Sequence, residues 1–254
     1  MELPGYLLIA LASLGAGAIN AAAGGGTLIT FPAMLAAGMS PLAANMTSSV
    51  GLLLGTVGGA WSYRQELRRQ RRRFIANAPF AAIGGVIGAV LLLLTPSDSF
   101  EAIVPWLVLT AAALFAAQPL VAKGLRRDDA AGFDVESTGG WVTKAAFVAI
   151  GVYGSYFGAG IGVMMLAMLG LVIHDSLQHH NALKNAIAGV INGTGVLILA
   201  FSPLIHWGVV LVMLASSLLG GLAGGWLSRR VPSWALRTVV IAFAVVVGLA
   251  MLLD

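Results

Sequence analysis

The sequence predicts an all-α integral membrane protein, an inverted repeat of two five-segment helical halves with broken or re-entrant short helices. Composition is the first reason: 59% of the 254 residues are hydrophobic and 9% are charged, whereas soluble domains carry about 25% charged residues. Glycine is the second, because 33 glycines suit helices that pack backbone against backbone in lipid. A motif that recurs in both halves is the third.

Eight apolar runs approach the length of about 20 residues that a helix needs to cross a bilayer. They cover 6–22, 44–63, 74–94, 102–121, 142–157, 182–201, 207–227 and 234–253. Two shorter apolar stretches, 27–37 and 161–173, each follow a glycine cluster. Stretches of this length are more typical of re-entrant or half-spanning helices. The sequence therefore predicts ten segments, two of them short.

Basic residues predict the orientation of these segments. Six arginines crowd the loop after the third segment, and basic residues also follow the fifth and ninth, whereas the loops after the fourth and eighth contain none. Cytoplasmic loops carry the excess of Lys and Arg, so these basic loops are predicted inside and both termini outside. These loops explain the net charge of +4, and we expect a multi-pass protein of the cytoplasmic (inner) membrane. The bilayer is the expected partner, and no nucleic acid is expected.

One polar segment near the midpoint divides the chain. Residues 123–140 hold four acidic residues, Asp128, Asp129, Asp134 and Glu136. We expect an N-terminal transmembrane repeat at 1–122, a cytoplasmic linker at 123–140 and a C-terminal transmembrane repeat at 141–254.

The halves resemble each other around their glycine clusters. Adding 134 converts Gly24 to Gly158 and Gly26 to Gly160, and adding 136 converts Asn45 to Asn181. Each half has five segments, an odd number, so the halves enter the membrane from opposite sides. Related halves in opposite orientation are common in secondary transporters.

The same segments resemble a known family. AAAGGGTLI at 21–29, ANMTSS at 44–49 and NALKN at 181–185 are similar to the signature regions of the TauE/SafE sulfite and organosulfonate exporters. The likeness extends over essentially the whole chain, although Ser155 stands where the family's second motif has glycine. The resemblance implies a transporter, an exporter of sulfite, sulfonates or related small anions, and a homodimer.

Lys184 is the leading candidate for the anion's counter-charge. It is the only Lys, Arg, Asp or Glu between Asp175 and Arg229, and charges within membrane segments usually mark a pathway or a ligand. The alternative is a lysine that extends to the cytoplasmic face. The full predicted substrate site is Gly24, Gly25, Gly26, Thr27, Asn45, Ser48, Ser49, Gly158, Gly160, Asn181, Lys184, Asn185 and Asn192.

The glycine clusters add a backbone contribution to this site. Helices that begin after Gly26 and Gly160 are expected to leave free N–H groups and a positive dipole end facing the anion. Most other glycines, such as Gly84 and Gly221, are expected to serve helix packing instead.

Other functions are less well supported by the residues. A passive anion channel of the same architecture stays open as an alternative, and an intramembrane serine hydrolase at Ser155 is remote because no histidine lies within a span. No enzyme activity, catalytic residue or cofactor is expected. His174, His179 and His180 are interpreted as solvated loop histidines rather than metal ligands.

Overall fold

All regular structure in the computed structural model is helical within the residues it describes, 2–22, 24–126, 140–173, 175–227 and 233–253. Twelve helices are assigned in these ranges. They are α1 (Leu3–Ala22), α2 (Thr27–Ala36), α3 (Pro41–Gly51), α4 (Leu53–Ser62), α5 (Arg64–Arg69), α6 (Arg71–Leu94), α7 (Ser97–Arg126), α8 (Trp141–Tyr156), α9 (Ile161–Val172), α10 (Leu177–Leu199), α11 (Trp207–Leu227) and α12 (Ser233–Leu253).

Five described helices are long and apolar enough to cross a bilayer. Their spans are Leu3–Ala21, Arg71–Leu94, Ser97–Ala117, Gln178–Leu199 and Trp207–Gly224. Large apolar side chains also cover the outside of the bundle, with Leu11 70% and Leu94 74% exposed. A surface of this kind suits lipid rather than water. The prediction of an all-α, multi-pass membrane protein is confirmed.

The two short apolar helices form where the sequence predicts them. They are α2 and α9, at Thr27–Ala36 and Ile161–Val172, and each begins directly after a glycine cluster. Helix α2 has ten residues and α9 has twelve, which at 1.5 Å per residue is about half of a bilayer core. The fold therefore contains two half-length helices inside the bundle.

The predicted third segment, 44–63, is helical but is interrupted at one residue. Residues 44–62 lie in α3 and α4, which are separated by the single residue Leu52, whose φ of −88° and ψ of −2° stay in the helical region. Thr56 donates its hydroxyl hydrogen to the Leu52 carbonyl at 3.2 Å, and hydroxyl bonds of this kind bend helices. The following arginine-rich loop is itself helical, as α5 and the first turn of α6.

The predicted linker is only partly within the described residues. Helix α7 continues through Lys123 to Arg126, whereas residues 127–139 lie outside the described part of the chain. The boundaries of the two repeats stay predictions.

Helix contacts connect the two halves of the chain. Helix α1 packs most extensively against α11, and α6 packs most extensively against α8. Glycines allow these approaches: a Cβ at Gly84 would lie 2.2 Å from the Val148 carbonyl oxygen, and one at Gly221 would lie 2.3 Å from the Gly55 carbonyl oxygen. The prediction that these two glycines serve packing is confirmed. The half-length helices are thereby held between elements of both halves.

Candidate functional site

Two glycine turns connect the half-length helices to the helices before them. Gly24 and Gly158 have φ values of 73° and 80°, which glycine adopts more readily than residues with a Cβ. The Gly24 amide donates to the Ile19 carbonyl at 3.0 Å, and the Gly158 amide donates to the Tyr153 carbonyl at 3.3 Å. Both bonds satisfy carbonyls at the end of the preceding helix. The two turns therefore have the same hydrogen-bonding design.

A small cavity of about 30 Å³ lies where these turns meet α3, α4 and α10. That is enough for about two water molecules, because each needs at least about 10–15 Å³ of such space. The lining residues are Asn20, Gly24, Thr27, Ser49, Leu52, Thr56, Gly154, Gly158, Ile161, Gly162, Lys184, Asn185, Ala188 and Asn192. Lysine is the only charged residue type among them, and none is acidic.

Lys184 reaches the cavity across the bundle instead of extending to a surface. The residue is 1% exposed, and its Nζ donates to the Asn20 carbonyl oxygen at 3.4 Å. Asn185 donates its side-chain amide hydrogen to the Ala21 carbonyl at 3.1 Å. These carbonyls belong to the last turn of α1, where the C=O groups have no hydrogen-bond partner within the helix itself. Lys184 and Asn185 thus cap α1 while they line the cavity.

The Asn20 side chain binds two backbone amides of the first glycine cluster. Its side-chain oxygen accepts from the backbone N–H of Gly25 at 2.9 Å and of Gly26 at 2.7 Å. The amides of these two glycines are therefore already satisfied by a side chain of the preceding helix. The free N–H groups expected in the helices that begin after Gly26 and Gly160 stay a prediction. Asn20 also lines the cavity.

Seven of the predicted site residues line this cavity. They are Gly24, Thr27, Ser49, Gly158, Lys184, Asn185 and Asn192. Asn192 also donates to the Thr56 hydroxyl at 3.1 Å, which holds both polar groups at the wall.

The other six predicted residues do not line the cavity. They are Gly25, Gly26, Asn45, Ser48, Gly160 and Asn181. Asn45 donates to the Tyr156 carbonyl at 2.8 Å, and the Ser48 and Thr30 hydroxyls are 2.7 Å apart. Gly160 precedes the first residue of α9 with a φ of 80°. Asn181 is buried, and its side-chain oxygen has no hydrogen-bond partner among the described residues.

The sequence interpretation missed seven lining residues. They are Asn20, Leu52, Thr56, Gly154, Ile161, Gly162 and Ala188. Thr56 was accessible to the repeat argument, since subtracting 136 from the predicted Asn192 gives Thr56. Asn20 had no counterpart among the predicted residues. A polar residue one turn before the glycine cluster was the available signal.

A buried ionic cluster connects α6 with the start of α10 at the arginine-rich end. Arg73 is paired with Asp175, which also contacts the His179 ring. Burial favours the protonated carboxyl, but the hydrogen bonds from Arg73 and His179 outweigh it and hold the pKa of Asp175 below its usual range. His179 and His180 lie in α10, and His180 is 1% exposed. The interpretation of His180 as a solvated loop residue is wrong, while His174 lies outside the described residues.

Comparison with known proteins identifies a transporter family. A family model described as "Sulfite exporter TauE/SafE" matches residues 9–251. A Sinorhizobium sp protein named "Probable membrane transporter protein ORF9" is 27% identical over 243 residues, which are 94% of this chain and 89% of the relative. The Escherichia coli K12 protein named "Probable membrane transporter protein YfcA" is 24% identical, over 94% of this chain and 86% of the relative.

A further relative from Haemophilus influenzae, also named "Probable membrane transporter protein", is 27% identical over 93% of this chain and 90% of the relative. No solved structure matches the chain. The family and these relatives are described as transporters, not enzymes.

Proposed function

Because this chain belongs to the sulfite exporter TauE/SafE family, we propose that it carries sulfite or a related small anion across the cytoplasmic membrane as a secondary transporter. The observation that carries the proposal is the chemistry of the cavity wall. One lysine is surrounded by amide and hydroxyl groups, and no lining residue is acidic. Such a wall compensates a desolvated anion and holds no carboxylate to balance the charge of a cation.

We further propose that the halves form an inverted repeat and that transport follows alternating access. Six pairs of lining residues are related by the repeat offsets. Adding 134 pairs Asn20 with Gly154, Gly24 with Gly158 and Thr27 with Ile161; adding 136 pairs Ser49 with Asn185, Leu52 with Ala188 and Thr56 with Asn192. The packing of α1 on α11 likewise corresponds to the packing of α8 on α6. A site at the interface of related halves supports this mechanism.

Cavity size favours the smallest substrates that the family description allows. A volume of about 30 Å³ holds about two water molecules, so sulfite requires slight widening and an organosulfonate tail requires much more. Outward transport and the homodimer are further expectations that follow from the family resemblance.

Binding to purified protein tests the role of the cavity. Sulfite, sulfate, small sulfonates and carboxylates are compared by calorimetry with wild type and with Lys184→Met, which keeps the apolar stem and removes the charge. We expect Lys184→Met to weaken sulfite binding by at least about tenfold, or about 1.4 kcal/mol. Lys184→Arg keeps the charge in a different shape and is expected to retain only part of the affinity.

Lys144→Met is the matched control, because the Lys144 ammonium lies over the rings of Phe80 and Trp141, 5.3 and 4.7 Å from their centroids, and does not line the cavity. Unchanged sulfite affinity in Lys184→Met contradicts the proposed site. Counterflow in proteoliposomes separates the carrier from a passive channel, since only a carrier accelerates labelled sulfite entry when unlabelled sulfite is inside.

A further inference from the structure

The cavity wall carries a single formal charge. Lys184 is the one charged residue that lines it, and no other lining residue is titratable. Tyr153 of α8 does not line the cavity and donates its hydroxyl hydrogen to the Ala159 carbonyl at 2.7 Å. An anion with one negative charge forms a neutral pair with the Lys184 ammonium, whereas a dianion leaves one buried negative charge without a cation. Buried charges are costly unless they are paired, so the wall favours a monoanion.

Charged groups on the helices around α10 do not supply a second cation to this wall. Arg73 of α6 is paired with Asp175, and the Lys144 ammonium of α8 lies over two aromatic rings. The other arginines of α5 and α6 are exposed, as are the acidic residues that α7 contributes. His179 contacts Asp175, and His180 contacts a backbone carbonyl. None of these side chains lines the cavity.

Two lining residues keep hydrogen-bond donors. The Lys184 ammonium has three hydrogens, and within the described residues it makes one hydrogen bond, to the Asn20 carbonyl. The Asn20 side-chain oxygen accepts from the Gly25 and Gly26 amides, which assigns the oxygen and nitrogen of this side chain and leaves its N–H hydrogens without a described partner. Lys184 and Asn20 therefore retain donors for the oxygens of an anion.

Three other lining residues keep acceptor oxygens. Ser49 donates its hydroxyl hydrogen to the Asn45 carbonyl at 2.9 Å, which leaves the hydroxyl oxygen able to accept. Asn185 and Asn192 each donate a side-chain amide hydrogen at 3.1 Å, to a carbonyl of α1 and to a hydroxyl of α4, so their side-chain oxygens have no described partner. A sulfite dianion offers these oxygens no hydrogen, and a buried acceptor without a hydrogen is costly. An anion that carries a hydrogen satisfies one of them.

We propose that the cavity takes an oxyanion with one negative charge and one hydrogen, so that sulfite is bound and carried as hydrogensulfite and not as the dianion. The inference rests on the proposed anion site and names the form of the anion that this site takes. Lys184 and Asn20 donate to the oxygens that share the negative charge, and Ser49, Asn185 or Asn192 accepts the hydrogen. Both forms of sulfite exist near neutral pH, so this choice determines how much of the total sulfite can be carried.

Calorimetry on purified wild-type protein tests the choice, at about one pH unit below and about one pH unit above the second ionisation of sulfurous acid. Buffers with different heats of ionisation report the protons taken up with each bound anion. Chlorate is the matched probe, because it has the pyramidal shape and the electron count of the sulfite dianion but a single charge at both pH values. Protons that the protein itself takes up are therefore common to the two anions.

Above the ionisation we expect sulfite to take up about one proton more than chlorate does, because the bound form must be made from the dianion. The affinity for total sulfite, relative to that for chlorate, is expected to fall by about tenfold from the lower to the higher pH, in proportion to the fraction of hydrogensulfite. Below the ionisation the two anions are expected to take up equal numbers of protons.

Lys184→Arg provides a second measurement, because its guanidinium stays charged throughout this pH range. The variant is expected to take up about one proton with each bound sulfite above the ionisation and about none below it. If chlorate binds too weakly for calorimetry, this variant decides between the two forms of sulfite.

Two results overturn the inference and leave the proposed function intact. One is equal proton uptake with sulfite and chlorate above the ionisation. The other is sulfite binding to Lys184→Arg at the higher pH without proton uptake. Wild-type protein that binds sulfite at neither pH refutes the anion site itself, and the inference with it.

Discussion

Asn20→Asp separates the structural role of Asn20 from its place in the cavity. The substitution keeps an oxygen that accepts from the Gly25 and Gly26 amides, which Asn20 now binds at 2.9 and 2.7 Å. A carboxylate at the start of α2 is also favoured by the helix dipole, by about 0.3–1 kcal/mol. The variant should therefore fold and be at least as thermally stable as wild type.

Anion binding should respond in the opposite direction. Two like charges about 6 Å apart at an effective dielectric constant of about 20 repel by roughly 2.8 kcal/mol, which is about a hundredfold in affinity. The new carboxylate would also lie beside the Lys184 ammonium, whose Nζ already contacts the Asn20 carbonyl oxygen. Pairing with that ammonium removes the charge on which the anion depends, so a hundredfold loss is a conservative expectation.

Thermal-shift measurements on these preparations give the stability of Asn20→Asp, and calorimetry on the same preparations gives its sulfite affinity. Asn20→Ala is the contrasting variant, because it adds no charge but leaves two buried N–H groups without an acceptor. We expect it to lose at least about 2 kcal/mol of stability. If Asn20→Asp binds sulfite as tightly as wild type, the cavity is not where the anion binds.

Three further predictions, two of them with a control substitution, concern the turns, the ionic cluster and the orientation. Gly158→Ala should reduce stability by about 1–2 kcal/mol because the φ of Gly158 is positive. The added methyl group should also fill the cavity and abolish sulfite binding measured by calorimetry. The control Gly221→Ala, at a packing glycine, should lower the melting temperature more than Gly158→Ala does. Asp175→Asn should lower the free energy of unfolding by about 3 kcal/mol, measured by thermal unfolding. Its control, Asp98→Asn at an exposed site, should change the free energy of unfolding by no more than about 0.5 kcal/mol. The lowered pKa of Asp175 means that wild type retains this contribution at neutral pH and loses it as the pH falls through the folded-state pKa. A cysteine at Arg68 should resist an impermeant thiol reagent in intact cells; external labelling there contradicts the predicted topology.

The half-length helices could be predicted because their signals are local. A glycine cluster followed by ten to twelve apolar residues is too short to span a bilayer, and nothing distant changes that. The break at Leu52 could not be predicted in this way, because α3 and α4 are continuous in hydropathy. It depends on the hydroxyl bond of Thr56 and on a close approach to α11, where a Cβ at Gly55 would lie 2.9 Å from the Ser217 side chain.

In the candidate site, too, only features with a local sequence signal could be predicted. Lys184 could be selected from the sequence because a lone cation in an apolar segment is rare. Its contact with the Asn20 carbonyl joins residues 164 positions apart, and no local pattern predicts such a contact. The same is true of His180, whose burial depends on where the loop before α10 places the Ile173 carbonyl.

The contact between Lys184 and α1 suggests how occupancy of the cavity reaches the surrounding helices. The hydrogen bond from Nζ to the Asn20 carbonyl is 3.4 Å long, beyond the 2.7–3.2 Å typical of N–H···O bonds. In the proposed transport cycle, we expect the ammonium to turn from this carbonyl toward an anion in the cavity. When it does, the last turn of α1 loses part of its cap and keeps the shorter bond from Asn185 to the Ala21 carbonyl, at 3.1 Å. Because the Asn20 side chain also holds the first amides of the turn to α2, hydrogen bonds connect the proposed anion site to the junction between a long helix of the bundle and a half-length helix. The proposed alternating access would require movement at a junction of this kind.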